Sequence, residues 1–153
     1  MKQISICIPT WNRYELTIDS FAQVYNDERV KNIIIVDDCS NDEFYVKLAL
    51  ICGHMDKVHL YQNDTNLDCY RNKKEAISKS TSEYCIILDS DNEIGVDYID
   101  AIYKEDWDED TILAPVYAMP YFDYREFSGV HVNRSNVASY MDKKMFATAL
   151  NTC

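Results

Sequence analysis

Glycine and proline are scarce in this sequence, three of each among 153 residues. That scarcity excludes collagen-like and low-complexity chains and leaves no Pro- or Gly-rich linker. No internal repeat is visible. No apolar run approaches the roughly 20 residues of a membrane-crossing helix, so no transmembrane segment is expected. Strand-like sequence begins almost at once, so no signal peptide is expected either. The three histidines (His54, His59, His131) are scattered, and none of the six cysteines forms a C-x-x-C pair. A zinc cluster is therefore not expected, and the cysteines read as reduced thiols of a cytoplasmic chain. Positive charge is also in short supply: 15 Lys and Arg face 26 Asp and Glu, a net charge of −11. This argues against nucleic acid or an anionic membrane as partner. An anionic ligand such as a phosphate would need a bridging metal or a local basic patch.

What is present is an apolar fraction of 47%, enough to build one domain with a substantial core. Ile4–Ile8 reads as a strand stopped by Pro9. A helix is expected from Tyr14, with Tyr14, Ile18, Phe21 and Tyr25 on its apolar stripe and Leu16 and Val24 off it. Asn32–Val36 is a second apolar strand, ending at Asp37-Asp38. Ser40 or Asn41 is the expected cap of the next helix, whose inner face carries Phe44, Leu48 and Ile51 and which stops near Gly53. Val58–Tyr61 is the third strand, Arg71–Ser80 the third helix and Cys85–Leu88 the fourth strand, read as buried and central. Alternation of this kind predicts an α/β fold, a parallel sheet with right-handed crossovers. Beyond Asp91 the order weakens. A helix is expected over Val96–Lys104, strands over Thr111–Ala114 and Val130–Val132, an aromatic stretch over Tyr117–Phe127 and a last helix over Asn136–Leu150.

Every strand ends in a polar cluster, and ligands of open α/β sheets bind beyond the carboxyl ends of the strands. The fourth cluster, Asp89-Ser90-Asp91, sets two carboxylates one residue apart. Hard oxygen donors of this type suit Mn2+ or Mg2+. Paired aspartates alone are more often solvated strand-end residues, and Asp37-Asp38 alone is more often turn chemistry. Trp11 could stack on a ligand or plug the sheet edge.

The four clusters occur in order as IPTWNR, VDDCS, NLDCYRNK and LDSDN. Together they resemble family 2 glycosyltransferases of the GT-A fold, a three-layer α/β/α sandwich with a mostly parallel sheet. The resemblance is good from Ile4 to about Glu93 and loose beyond. It implies a metal-dependent, inverting transfer of a sugar from a UDP-sugar donor to a hydroxyl of a glycan or glycoprotein acceptor. It implies that Pro9, Thr10, Trp11, Asn12, Arg13, Asp38, Asn66, Arg71, Lys73, Asp89 and Ser90 line the nucleotide-sugar site. Asp38 would accept an N–H of the base while Asp37 holds the turn. Asp91, with Asp89, would ligate the ion.

Two departures stand out. Where the family has glycine in the loop before the third helix, this chain has Asp68. An aspartate tolerates φ > 0 better than most residues, though less well than glycine. The inverting reaction also needs a general base on the acceptor half. Asp123 and Glu126 are the weak candidates; otherwise the acceptor half is incomplete, and a fragment is the favoured expectation. The alternative is a truncated module that binds nucleotide-sugar without transferring it. A nucleotidyltransferase shares paired carboxylates but would show a Gly-rich, basic loop after the first strand, which IPTWNR lacks.

Overall fold

The structure, a computed structural model, describes residues 2–107 together with Leu113, Pro115, Tyr117, Ala118, Phe122, Asp123, Arg125 and Ser135. The chain groups into two compact units, Met1–Tyr103 and Lys104–Cys153.

The first unit is built on a four-stranded parallel sheet of β1 (Ile4–Thr10), β2 (Val30–Asp37), β3 (Val58–Gln62) and β4 (Tyr84–Ile87) in the order β3-β2-β1-β4. The connecting helices are α1 (Tyr14–Phe21), α2 (Asp42–Cys52) and α3 (Asp68–Ser78), with α4 (Val96–Ile102) after β4. The α/β expectation holds. The order runs outward from β1 to β3 and then jumps back across β1 to β4. Right-handed crossovers therefore place α1 and α2 on one face and α3 on the other. The packing agrees, with α1 against α2 and α3 against β1 and β2. The reversal makes a switch point at the carboxyl edge between β1 and β4, where such sheets take ligands.

β1 and β2 are the central strands and supply most of the core. Register pairs Ile6 with Ile33 and Ile8 with Ile35 on one face, and Cys7 with Ile34 on the other. Cys7, Ile34, Val36 and Ala76 of α3 form one buried cluster, against which Cys85 packs. Each isoleucine sealed in this way contributes about 1.5–3 kcal/mol.

Several sequence expectations need correction. Among the described residues the fourth strand lies at an edge of the sheet, and Ile87 is 37% exposed. In α1 the buried positions are Thr17, Ser20 and Phe21, and the helix tightens into a 3₁₀ turn, Ala22–Val24. That change of pitch carries Val24 into the core. Thr17 and Ser20 tolerate burial because their hydroxyls bond to the carbonyls of Arg13 and Thr17. In α2 the buried residues are Leu48 and Cys52, while Ile51 is exposed. No side chain caps α2: Ser40 Oγ is committed to Asp37, and Asn41 supplies only its carbonyl. Gly53 does end α2, from an ordinary right-handed conformation.

In the second unit, Tyr117–Ala118 (β5) and Phe122–Asp123 (β6) pair antiparallel. Arg125 lies over the Tyr117 ring, 4.4 Å from its centroid. Of the strand expected over Thr111–Ala114, only Leu113 is described, and it is irregular. Tyr121, Tyr124, Phe127, the strand over Val130–Val132 and the helix over Asn136–Leu150 lie outside the described residues.

Candidate functional site

The four polar clusters all lie at the carboxyl edge of the first unit's sheet, tied to one another by hydrogen bonds. Pro9 and Thr10 close β1 inside the sheet, Thr10 pairing in register with Asp37. Thr10 Oγ1 lies 2.6 Å from Thr17 Oγ1, and the Thr10 carbonyl accepts the Asp38 N–H at 2.8 Å. Asn12 adopts φ 53°, which an asparagine tolerates. From that position its N–H donates to Ser40 Oγ at 2.7 Å and its Oδ1 accepts the Asn41 N–H at 2.9 Å. The turns after β1 and β2 are thereby locked together. Trp11, 50% exposed, does not plug the sheet edge.

The two aspartates after β2 do different work. Asp37 accepts from the Ser40 N–H and hydroxyl and from Gln62 Nε2, so it is spent on the turn. Asp38 is 3% exposed, and its Oδ1 accepts from Asn63 Nδ2 and from the Leu67 N–H, both at 2.8 Å. Its Oδ2 has no hydrogen-bond partner among the described residues and is not sealed from solvent. A buried carboxylate with one oxygen open is a ready acceptor for a ligand N–H.

Asn66 Oδ1 accepts the Asp68 N–H at 3.0 Å, shaping the loop into α3. Asp68 takes φ 65°, a left-handed conformation that aspartate tolerates better than most residues. Arg71 is exposed at the surface of α3. Lys73 is buried, and its Nζ reaches Asp89 Oδ1 at 2.9 Å. One turn of chain further, Asp91 meets Arg13 NH1 at 2.6 Å, both partly exposed. Ser90 between them is buried. Cations from the β1 turn and α3 thus face both carboxylates of the β4 turn, one to each.

Asp89 and Asp91 offer hard oxygen donors from a single turn. Among the described residues no group of three or more His, Cys, Asp or Glu gathers as a ready-made metal cage. The donor set fits an ion of the Mg2+ type, which is held by one or two carboxylates and otherwise by ligand phosphates and water.

Asp123, in the second unit, accepts from Arg125 Nε at 2.8 Å and NH2 at 2.6 Å. These bonds hold its carboxyl below the usual range, which makes it a weak base. Glu126 lies outside the described residues. Asn63 lies outside the four clusters read from the sequence, while Ser40 and Asn72 lie within VDDCS and NLDCYRNK but had no part in the site assigned to them. Asn63 sits just past β3 and Asn72 stands beside Lys73, but neither carries a charge to draw notice.

The family model for glycosyl transferase family 2 matches residues 5–149. Among curated proteins, the chain is 31% identical over 91 residues to the Escherichia coli K12 protein called "Putative colanic acid biosynthesis glycosyl transferase WcaA". That match covers 59% of this chain and 33% of the relative. Among solved structures, S. aureus TarS 1-349 aligns with a TM-score of 0.57 at 19% identity, over 67% of this chain and 31% of TarS 1-349. TarS 1-349 has also been solved in complex with UDP and with UDP-GlcNAc. The chain spans about a third of the length of these relatives.

Proposed function

The chain belongs to glycosyl transferase family 2, with the GT-A fold, and from that premise we propose that it transfers a sugar from a UDP-sugar donor to a hydroxyl of a glycan or glycoprotein acceptor. The carrying observation is the gathering, at one sheet edge, of an open acceptor oxygen on Asp38, two cations and two carboxylates. The UDP complexes of TarS, a protein of the same fold, favour a uridine nucleotide.

In this reading Asp38 Oδ2 accepts the ring N–H of uracil, and the buried setting penalises a base that lacks that donor. Trp11, half exposed beside it, offers a stacking face. Asp89 lies toward the ribose. Lys73, Arg13 and Arg71 receive the diphosphate, and Arg13 must turn from Asp91 to do so. Asp91, with Asp89, would hold Mn2+ or Mg2+, which when bound stabilises the negative charge developing on the leaving nucleoside diphosphate. The acceptor hydroxyl loses its proton to a base for which Asp123 and Glu126 are candidates, Asp123 the poorer because Arg125 stabilises its charged form.

That pairing of Asp123 with Arg125 also favours a second reading, a module that binds the nucleotide-sugar and transfers nothing. Titration of UDP with and without Mn2+, followed by assays of UDP-sugar hydrolysis and transfer, separates the two. The transferase reading expects metal-enhanced UDP binding that Asp91→Ala abolishes while the fold persists, together with turnover. Binding without turnover supports the module, and equal UDP affinity in Asp91→Ala removes Asp91 from the site.

A further inference from the structure

We propose that Asn72 and Asn63 are positioning residues that set the donor–acceptor polarity of base recognition; this rests on the reading of Asp38 as the base acceptor. Asn72 is 2% exposed on α3. Its Nδ2 donates to the Val36 carbonyl at 3.1 Å. A carbonyl can only accept, so that bond decides which way the Asn72 amide faces. Its Oδ1 is thereby turned to Asn63 Nδ2, at 3.0 Å. Asn63 Nδ2 has two protons: one goes to Asn72, the other to Asp38 Oδ1 at 2.8 Å. Flipping the Asn63 amide would set its oxygen against both a carboxylate and an amide oxygen. The direction of every bond in the series is thus inherited from the backbone of β2.

The consequence falls on Asp38. Its Oδ1 is saturated by Asn63 and the Leu67 N–H, which fixes the plane of the carboxylate. Oδ2 is left without a partner among the described residues, and a carboxylate oxygen accepts. A ring N–H such as uracil N3–H meets it well. Cytosine, whose N3 carries a lone pair, meets it lone pair to lone pair. The relay therefore sets selectivity between pyrimidines without touching the ligand, acting through the orientation of Asp38.

The test is calorimetric titration of UDP and CDP into the full-length chain, with Mn2+ present throughout, for wild type, Asn72→Ala and Asn63→Ala. Wild type is expected to prefer UDP by about 100-fold. Both variants should lose about 10-fold or more in UDP affinity while CDP changes by less than about 3-fold, so that the preference collapses. In an Asp38→Asn background, Asn72→Ala should have no further effect on the UDP/CDP ratio. An unchanged ratio in folded Asn72→Ala or Asn63→Ala, with both ligands weakened alike, overturns the proposal. If Asn72→Ala does not fold, Asn63→Ala and Asn63→Ser, at a half-buried position, decide the matter alone. Wild type that binds UDP without preferring it over CDP would instead refute Asp38 as base acceptor, and wild type that binds neither would refute the nucleotide site itself.

Discussion

Among the described residues, three carry backbone geometry that glycine would take more readily: Asn12, Cys39 and Asp68, at φ 53°, 60° and 65°. Asn12 repays the strain with two hydrogen bonds between turns. Cys39 is exposed, and its thiol makes a long contact, Sγ to the Asp64 carbonyl at 3.7 Å. Cys39→Gly is therefore expected to stabilise the chain by about 1 kcal/mol in urea unfolding. A second residue-scale prediction concerns Asp27, which accepts from the Arg29 N–H, Nε and NH2. These bonds from Arg29 hold its carboxyl below the usual range. The folded value lies under the unfolded one, so the stabilisation is present above about pH 4 and is lost as pH falls through the folded value. Asp27→Asn should cost about 1 kcal/mol at pH 7 and progressively less toward pH 3, read from unfolding midpoints across that range.

At the scale of elements, the strands are unequal. β1 and β2 are sealed on both faces, whereas β3 is an edge strand with His59, Tyr61 and Gln62 exposed. Ile35→Ala is expected to cost about 2–5 kcal/mol, and Leu60→Ala on β3 less than half as much, by chemical denaturation. The turns after β1 and β4 are joined through Arg13 and Asp91. An exposed pair of this kind is worth about 0.2–1 kcal/mol. Arg13→Gln should therefore tighten nucleotide-free Mn2+ binding by no more than about 5-fold, followed by electron paramagnetic resonance, while weakening UDP. Weaker Mn2+ binding would show that Arg13 does not compete for Asp91. The α/β alternation was legible because each apolar run is short and closed by a polar turn. The edge position of β4 in the described sheet was not, since the order of strands across a sheet leaves no mark on a four-residue run. The α1 stripe misled for a related reason: hydroxyls of Thr17 and Ser20 satisfied by backbone carbonyls read as polar surface.

For the whole molecule, the acidic balance of −11 makes a bare diphosphate an unwelcome ligand except at the edge where Arg13 and Lys73 meet the turn after β4. That edge lies entirely within Met1–Tyr103. A chain cut to residues 1–107 is expected to unfold cooperatively and to bind UDP within about 3-fold of the full chain, while showing no transfer. Loss of binding in a folded fragment would show that this edge does not suffice for UDP.

Residue order alone determined the parallel α/β architecture and the four strand-end motifs, because hydrophobic period and turn chemistry are local properties of the chain. Which aspartate of the Asp37-Asp38 pair stays open was decided only in three dimensions. Gln62 and Ser40 consume one, while Asn63 and Leu67 orient the other, and these partners come from separate segments of the chain. The same holds for the cations facing Asp89 and Asp91: Lys73 and Arg13 reach them from α3 and the β1 turn. A hydrogen bond depends on separation in space and on direction, and neither is written in the order of residues.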